Sequence, residues 1–463
     1  MSFLLPREKP LHLFLFPLLF ILNHFFSIVT PKDALKISSP GYWVFNFMLA
    51  GIICYSFSWA TYRIFSLKFN PVKSSILSNM IMLPFFFFQD VFLSLKDLMI
   101  AGLRARWGLP VFLVGLIMIF FWLIKTKRAL ITVNQYLNIV SAVLVFYMAF
   151  IVAMKFSNSL PKPLTQVPPT RNFQCKECPD VFLFVLDAHT SNQSLQDYFH
   201  YDNSKFSASL ENRGFRVADQ AFSPYTLTGY SMSATLNFDQ IPNLNQYTSV
   251  AYALQNSAVV SSFKKAGYEV HNYSLFDIDG KGPHYGLTPS FSFSIMQRIL
   301  ECSILNMTIF DVRLKVTLFQ THLNILRSVS DEAGKKKSHP RFFYAHILAP
   351  HPPFVIDENG NEINFFDQSE SFNNKIAYTK EVEGLNKLLL NSVDKIIKGS
   401  PNAIIIIMGD HGYRYLAGKS AEKESNTVFL AFRGPNKDEI HSLNSSTQIF
   451  ELVARSLNPE TTK

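Results

Sequence analysis

The apolar positions of this chain run on two length scales. In the first third they form five long stretches, at about 11–30, 43–62, 75–95, 109–125 and 132–154. Each approaches the roughly 20 apolar residues that a helix needs to cross a bilayer. The third is the weakest, because Asn79, Gln89 and Asp90 interrupt it. After residue 156 the runs shorten. "VFLFVLD" (181–187), "YEVHNYSL" (268–275), "RFFYAHIL" (341–348), "AIIIIMGD" (403–410) and "TVFLAFRG" (427–434) have the length of strands, and the continuous ones read as buried on both faces. Between them, Val382, Leu385, Leu388, Leu389, Val393, Ile396 and Ile397 repeat at helical spacing across residues 376–398, and a shorter helix is expected around 256–266. Strands alternating with helices predict a mainly parallel sheet covered on both faces. The expected fold is therefore an α-helical transmembrane region followed by an α/β domain.

Composition sharpens this division. The 48% hydrophobic content and 45 phenylalanines average over two materials, since the phenylalanines crowd the first third in "LFLFPLLF", "MLPFFFFQ" and "IMIFFWLI". The net charge of +9 is largely accounted for by basic residues flanking the spans, and no basic stripe with stacking aromatics points to nucleic acid. With the N-terminus inside, the inner segments carry Arg7, Lys9, Arg63, Lys68, Lys73, Lys125, Lys127 and Arg128, eight basic residues. The outer segments carry Lys32, Lys36, Lys96, Arg104, Arg106 and Lys155, six. This bias and an odd number of spans place the rest of the chain outside the cytoplasm. The first stretch lacks a small-residue cleavage site and is followed by more spans, so it reads as an uncleaved anchor.

The expected divisions are a five-helix membrane domain at 1–156, an extended proline-rich linker at 157–179, and the α/β domain at 180–463. Cys175 and Cys178 form a C-x-x-C in the linker; no second pair completes a zinc set, and a local disulfide is expected in an oxidising compartment. Cys54 and Cys302 read as structural.

Two strands end in acids. Asp187 follows "VFLFVL", and Asp410 follows "IIIIMG" with His411 next to it. Ligands in open α/β sheets bind beyond the carboxyl ends of the strands, and carboxylates with an imidazole there suit a divalent metal. Between these strands "FSPYTLTGYSMSATLN" (222–237) puts several hydroxyls where a helix starts. A hydroxyl in that position, beside a metal, can act as a nucleophile, and the residues alone leave its identity among several Ser and Thr open.

These segments, "PDVFLFVLDAHTS", "GFRVADQAFSPYTLTGYSMSATLN", "FFYAHILAPHPPF" and "GDHGYR", resemble in order and spacing the sulfatase-like branch of the alkaline phosphatase superfamily. With a five-span anchor, the chain looks like that superfamily's membrane phosphotransferases, which include lipoteichoic acid synthases, phosphoglycerol transferases and phosphoethanolamine transferases. The resemblance implies Thr228 as nucleophile, with Asp187, Asp410 and His411 completing a metal shell around it. It also implies that His351 of "APHPPF" contacts substrate or moves a proton. Arg414 and His346 are weaker substrate-binding candidates, and His189 carries a similarly low weight.

Departures narrow the function. Sulfatases mature the first residue of a Cys/Ser-x-Pro-x-Arg signature, whereas residues 228–232 read "TGYSM", so sulfatase chemistry is not expected. Ala188 stands where a second acid often follows the first, and only His441 follows His411, so one metal ion is expected: manganese, zinc, magnesium or calcium. The implied activity moves a phospho-alcohol group (phosphoethanolamine or phosphoglycerol) from a membrane phospholipid to an envelope glycan or lipid acceptor, through a phospho-threonine, at the cell's inner membrane. A hydrolase of phosphate or sulfate esters and an inactive envelope sensor or scaffold are the alternatives.

Overall fold

The computed structural model describes residues 9–28, 40–86, 105–128, 130–159, 162–164, 168–173, 175, 177–241, 244, 246–280, 310–364, 367–369, 373–414 and 424–458. Two compact units emerge, one including residues 40–159 and the other residues 160–288 and 314–463.

The first unit is helical: α1 (His12–Ile28), α2 (Pro40–Ser66), α3 (Pro71–Phe86), α4 (Ala105–Lys125) and α5 (Ile131–Ser159). A helix stands in each expected apolar stretch, although the second half of the third stretch, with Gln89 and Asp90, lies outside the described residues. Among the described residues, one helix, Ile131–Asn158, is long and apolar enough to cross a membrane; His12–Asn23 and Phe112–Lys125 are shorter apolar segments.

The unit buries polar groups alongside apolar clusters such as Phe20, Ile21, Met82 and Phe86, and exposes large apolar side chains. His12 Nε2 lies 3.1 Å from Asn134 Oδ1, its Nδ1 lies 2.8 Å from Asn79 Nδ2, and all three residues are buried. By contrast Phe146 is 78% exposed, Met118 65% and Trp59 61%. Lys73 of α3 donates to the carbonyls of Ile124 and Thr126 at 2.9 and 3.0 Å, so the start of α3 lies beside the end of α4. His12 likewise brings the starts of α1 and α5 together, its backbone N–H donating to Asn138 Oδ1 at 2.8 Å.

The second unit is an α/β sandwich. In chain order its elements are β1 (Val181–Leu186), α6 (Asn192–Phe199), α7 (Ser204–Glu211), β2 (Arg216–Val217), α8 (Thr228–Thr235), α9 (Tyr247–Gln255) and α10 (Ala258–Lys265). Then come β3 (Glu269–Tyr273), α11 (Phe310–Ala333), β4 (Arg341–Ile347), α12 (Lys375–Gly399), β5 (Ile404–Gly409), β6 (Leu430–Arg433) and α13 (Ile449–Leu457). The sheet order is β2-β6-β5-β1-β4-β3. β1 is parallel to β4 and β5, and β3 is parallel to β4, but β6 is antiparallel to β5 and to β2. The sheet is thus mixed: the expected parallel core stands, with one reversed strand near an edge. The two-residue β2 was too short to show a period.

Alternation along the strands divides the core. Val181, Leu183 and Val185 face α8, α10 and α13 with Phe342, Tyr344, Ile404 and Ile406. Phe182, Phe184 and Leu186 face α7, α11 and α12 with Phe343, Ile405 and Ile407. Full burial of each such side chain contributes about 1.5–3 kcal/mol, and the short β-branched run Ile404–Ile407 suits a strand covered on both faces. Truncating one, as in Ile406→Ala, would cost about 2–5 kcal/mol. At the amino ends of β1 and β4, buried Asp180 accepts from Lys337 Nζ and Arg341 Nη2, both at 2.7 Å.

Part of the extended segment 157–179 packs on this unit. Phe173 is 1% exposed and meets Phe263 of α10 edge-on at 4.6 Å, and Arg171 N–H donates to Ser262 Oγ. One buried aromatic outweighs the extended preference of the prolines around it. Cys175 and Cys178 are joined in a disulfide; Cys54 is buried and free, and Cys302 lies outside the described residues.

Candidate active site

The register of β1 with its two neighbours places three side chains at one sheet edge. Leu186 pairs with Gly409 of β5 and with Ile347 of β4, so Asp187 and Asp410 leave adjacent strands at the same level. His346 of β4 sits beside Val185, two residues below Asp187. Ligand atoms of Asp187, His346 and Asp410 lie within 4.8 Å of one another, and all three residues are buried. Gly409 precedes Asp410 because β5 passes the backbone after β1 at close range: a Cβ there would stand 2.2 Å from the His189 carbonyl oxygen.

His411 turns into the same space. Its Nδ1 lies 2.7 Å from the Gly412 carbonyl, which can only accept, so Nδ1 carries the proton and Nε2 presents a lone pair. That lone pair is 3.5 Å from Asp187 Oδ1 and 3.4 Å from Asp410 Oδ2. Thr228, the first residue of α8, brings its hydroxyl 3.4 Å from His411 Nε2 and into hydrogen-bonding reach of both carboxylates. Ser231, one turn on, donates to the Asp410 carbonyl and lies 2.7 Å from Ser223 Oγ, tying α8 to the end of β5.

Asp187 Oδ1, Asp410 Oδ2 and His346 Nε2 find no hydrogen-bond partner among the described residues. Burial, reinforced by the charge of Asp410, pushes the Asp187 carboxyl up to about 8 in the absence of a cation. Burial works on Asp410 as well, but His411, His346 and the Ala188 N–H, 2.9 Å from Oδ1, outweigh it and hold that carboxyl below the usual range. Two buried acids with orphaned oxygens repel one another unless positive charge sits between. The set fits a divalent metal ion, and Asp187, Asp410, His411, Thr228 and His346 are the residues placed to hold it.

The outer part of the site is a pair. His351 Nδ1 is 2.7 Å from the Pro352 carbonyl, and its Nε2 is 3.3 Å from Arg414 Nη2. Burial, and Arg414's charge among lesser influences, lower the pKa of His351, so the ring is neutral and accepts from the guanidinium.

Of the residues named from sequence, Asp187, Thr228, Asp410 and His411 come together, and His351 and Arg414 pair. His346 moves from the substrate-binding group into the ring of ligand atoms, its Nδ1 3.0 Å from the Tyr344 hydroxyl. His189 stays out of the cluster, buried against the Phe429 ring at 5.0 Å, and His441 is exposed beside Asp219. Sequence reasoning missed the Ala188 N–H that fixes Asp410, and no side-chain signal marks a backbone donor.

The sulfatase family model matches residues 179–431, more than half the chain. The chain belongs to the sulfatase family. It is a sulfatase-like enzyme of the alkaline phosphatase superfamily. No curated protein matches it. Among solved structures it is similar to the integral membrane lipooligosaccharide phosphoethanolamine transferase A (EptA) of Neisseria meningitidis: 13% identity, 92% of this chain and 95% of that one covered, TM-score 0.39. It is similar to the periplasmic domain of EptC from Escherichia coli in complex with Zn: 12% identity, coverage 63% and 86%, TM-score 0.36. It is also similar to a putative sulfatase from Bacteroides thetaiotaomicron: 15% identity, coverage 61% and 75%, TM-score 0.35.

Proposed function

We propose that this enzyme is a multi-pass protein of the inner membrane whose outer unit transfers a phospho-alcohol group from a phospholipid to an envelope glycan or lipid acceptor. The observation that carries the reading is the Thr228 hydroxyl, held at a helix start against Asp187, Asp410 and His411. A divalent ion bound there would favour the alkoxide of a neighbouring hydroxyl and offset charge on phosphoryl oxygens.

Thr228 Oγ forms a bond to phosphorus and the bond to the lipid's glyceryl oxygen breaks. The Thr228 proton passes to the surrounding carboxylate and imidazole set, and the departing oxygen takes a proton. An acceptor hydroxyl then attacks the phospho-threonine and restores the Thr228 oxygen. Arg414, paired with neutral His351, supplies the positive charge that orients the phosphate's free oxygens. Threonine in place of a maturable Cys or Ser supports phosphoryl over sulfuryl chemistry.

The helical unit supports the lipid donor. Polar groups buried within and aromatic and aliphatic groups exposed without are the arrangement a bilayer stabilises and water does not. Helices α1, α3 and α5 start together at one end, so α5 leaves at the other. With the basic bias toward the starting end, the catalytic unit lies outside the cytoplasm. We infer a single ion, because only this one set of acids gathers at the sheet edge among the described residues.

The test is mass spectrometry of the full chain incubated with phosphatidylethanolamine or phosphatidylglycerol and no acceptor. A phosphoethanolamine or phosphoglycerol adduct on Thr228, absent in Thr228→Ala with activity down by several orders of magnitude, is expected. An adduct on Thr226 or Ser231 instead would overturn the assignment.

A further inference from the structure

Helix α12 touches neither the acids nor Thr228, yet one stripe of it reaches the two loops that carry the site. Tyr378, at its second turn, donates its hydroxyl to the Ala188 carbonyl at 2.8 Å and accepts from the Thr190 N–H at 3.3 Å. Ala188 adopts φ 65°, a left-handed conformation that costs an L-residue about 1 kcal/mol, and its N–H is the donor to Asp410 Oδ1. The Tyr378 hydroxyl therefore holds the strained residue that links Asp187 to Asp410.

Three residues on, Glu381 is fully buried, and its Oε1 accepts from the Val355 N–H at 3.3 Å, in the loop that leaves β4 through His351. Its Oε2 has no partner among the described residues, and burial raises its carboxyl well above the usual range, so it serves as a neutral acceptor. Three residues further, Gly384 lets the helix backbone meet the same loop directly: a Cβ there would stand 1.9 Å from the Asp357 carbonyl oxygen. An apolar side chain at 381 would satisfy packing on this face, whereas a buried acid is costly unless its hydrogen bond is needed.

We propose that Tyr378, Glu381 and Gly384 are positioning residues: together they fix the loop after β1 and the loop after β4 to one rigid helix, and so set the distance between the metal-ligand cluster and the His351–Arg414 pair. The proposal rests on the metal-site reading above, and it assigns the two contacts separate jobs. Tyr378 governs ligand geometry, and Glu381 governs the His351 loop alone.

The experiment compares the full chain in detergent with Tyr378→Phe, Glu381→Leu and Glu381→Gln, by peptide-resolved hydrogen exchange and by calorimetric titration of Mn²⁺ into metal-stripped protein. Tyr378→Phe should speed exchange around 188–191 and weaken Mn²⁺ binding about tenfold, leaving 354–357 unchanged. Glu381→Leu should speed exchange at 354–357 with Mn²⁺ affinity within twofold of wild type, and Glu381→Gln, which keeps the acceptor, should restore protection. Equal loosening of both loops in every variant, no change in either, or no rescue by Gln would overturn the proposal. Wild-type protein that binds no Mn²⁺ would remove the metal-site reading instead, and the exchange pattern would still decide whether the helix holds the two loops.

Discussion

Asp187→Asn should stabilise the metal-free protein while removing what the site is for. Asp187 is fully buried, and burial plus the neighbouring Asp410 charge lift its carboxyl from 3.8 to about 8. Between those values the native state keeps a proton that the unfolded chain releases. The unfolded state binds fewer protons there, so stability falls as pH rises through that window. At pH 7 roughly three pH units separate the solution from the unfolded value, and at 1.36 kcal/mol per unit the cost is about 4 kcal/mol. Asparagine fills nearly the same volume without that cost. Asp410 is different, since its partners hold its carboxyl low, so Asp410→Asn should lose stability. The assay is thermal melting of the full chain in detergent with a chelator, from pH 4.5 to 8. Asp187→Asn should melt about 5–10 °C above wild type at pH 7, with the gap closing near pH 4.5. Adding Mn²⁺ should close most of the gap, because a ligand at a hundred times its Kd stabilises wild type by about 2.7 kcal/mol and the variant by little. A variant less stable than wild type in chelator at pH 7, or one stabilised equally by Mn²⁺, would refute the reasoning.

Two further outcomes follow from the same geometry. Asp180, buried against Arg341 and Lys337, is held below the usual carboxylate range because those partners outweigh the burial that alone would raise it. Its contribution should persist above the unfolded value and vanish as pH falls through the native one, and Asp180→Asn should cost about 3–5 kcal/mol by stranding Arg341, read as melting temperature across pH 2–7. Gly409→Ala should push Asp410 away from Asp187, since its Cβ would meet the His189 carbonyl oxygen at 2.2 Å; Mn²⁺ affinity measured calorimetrically should fall at least tenfold while the sheet's circular dichroism is kept.

The parts of this chain legible in its sequence are those where one residue's chemistry decides its place. Ile404–Ile407 can only be a covered strand, and an acid at the end of such a strand lands at a crevice, which is why Asp187 and Asp410 stand out. His346 does not, because its role depends on pairing: β4 lies against β1 in a register that puts His346 beside Val185, and neither strand alone fixes which face it takes. Tyr378 and Glu381 are hidden for a related reason. Along α12 they look like members of a helical stripe, and their partners Ala188 and Val355 lie 190 and 26 residues away. The reversed direction of β6 and the docking of Phe173 are likewise set by tertiary packing, which outvotes local signals such as the prolines before it.

The energetics of the site also bear on the choice between enzyme and scaffold. A sheet edge with two buried acids and an imidazole lone pair facing them is worse, as a piece of structure, than the same edge with asparagine at 187. A protein that kept the fold only as a scaffold would gain stability at pH 7 from that single change, because burial and the Asp410 charge raise the Asp187 carboxyl. The chain instead holds Asp187, and holds it in place through Asp410, Ala188 and Tyr378, with Ala188 in a conformation that itself costs energy. A buried acid raised by its like-charged neighbour, beside a residue in a left-handed conformation, is what a site looks like when a bound cation supplies the missing stabilisation. That arrangement favours the enzyme.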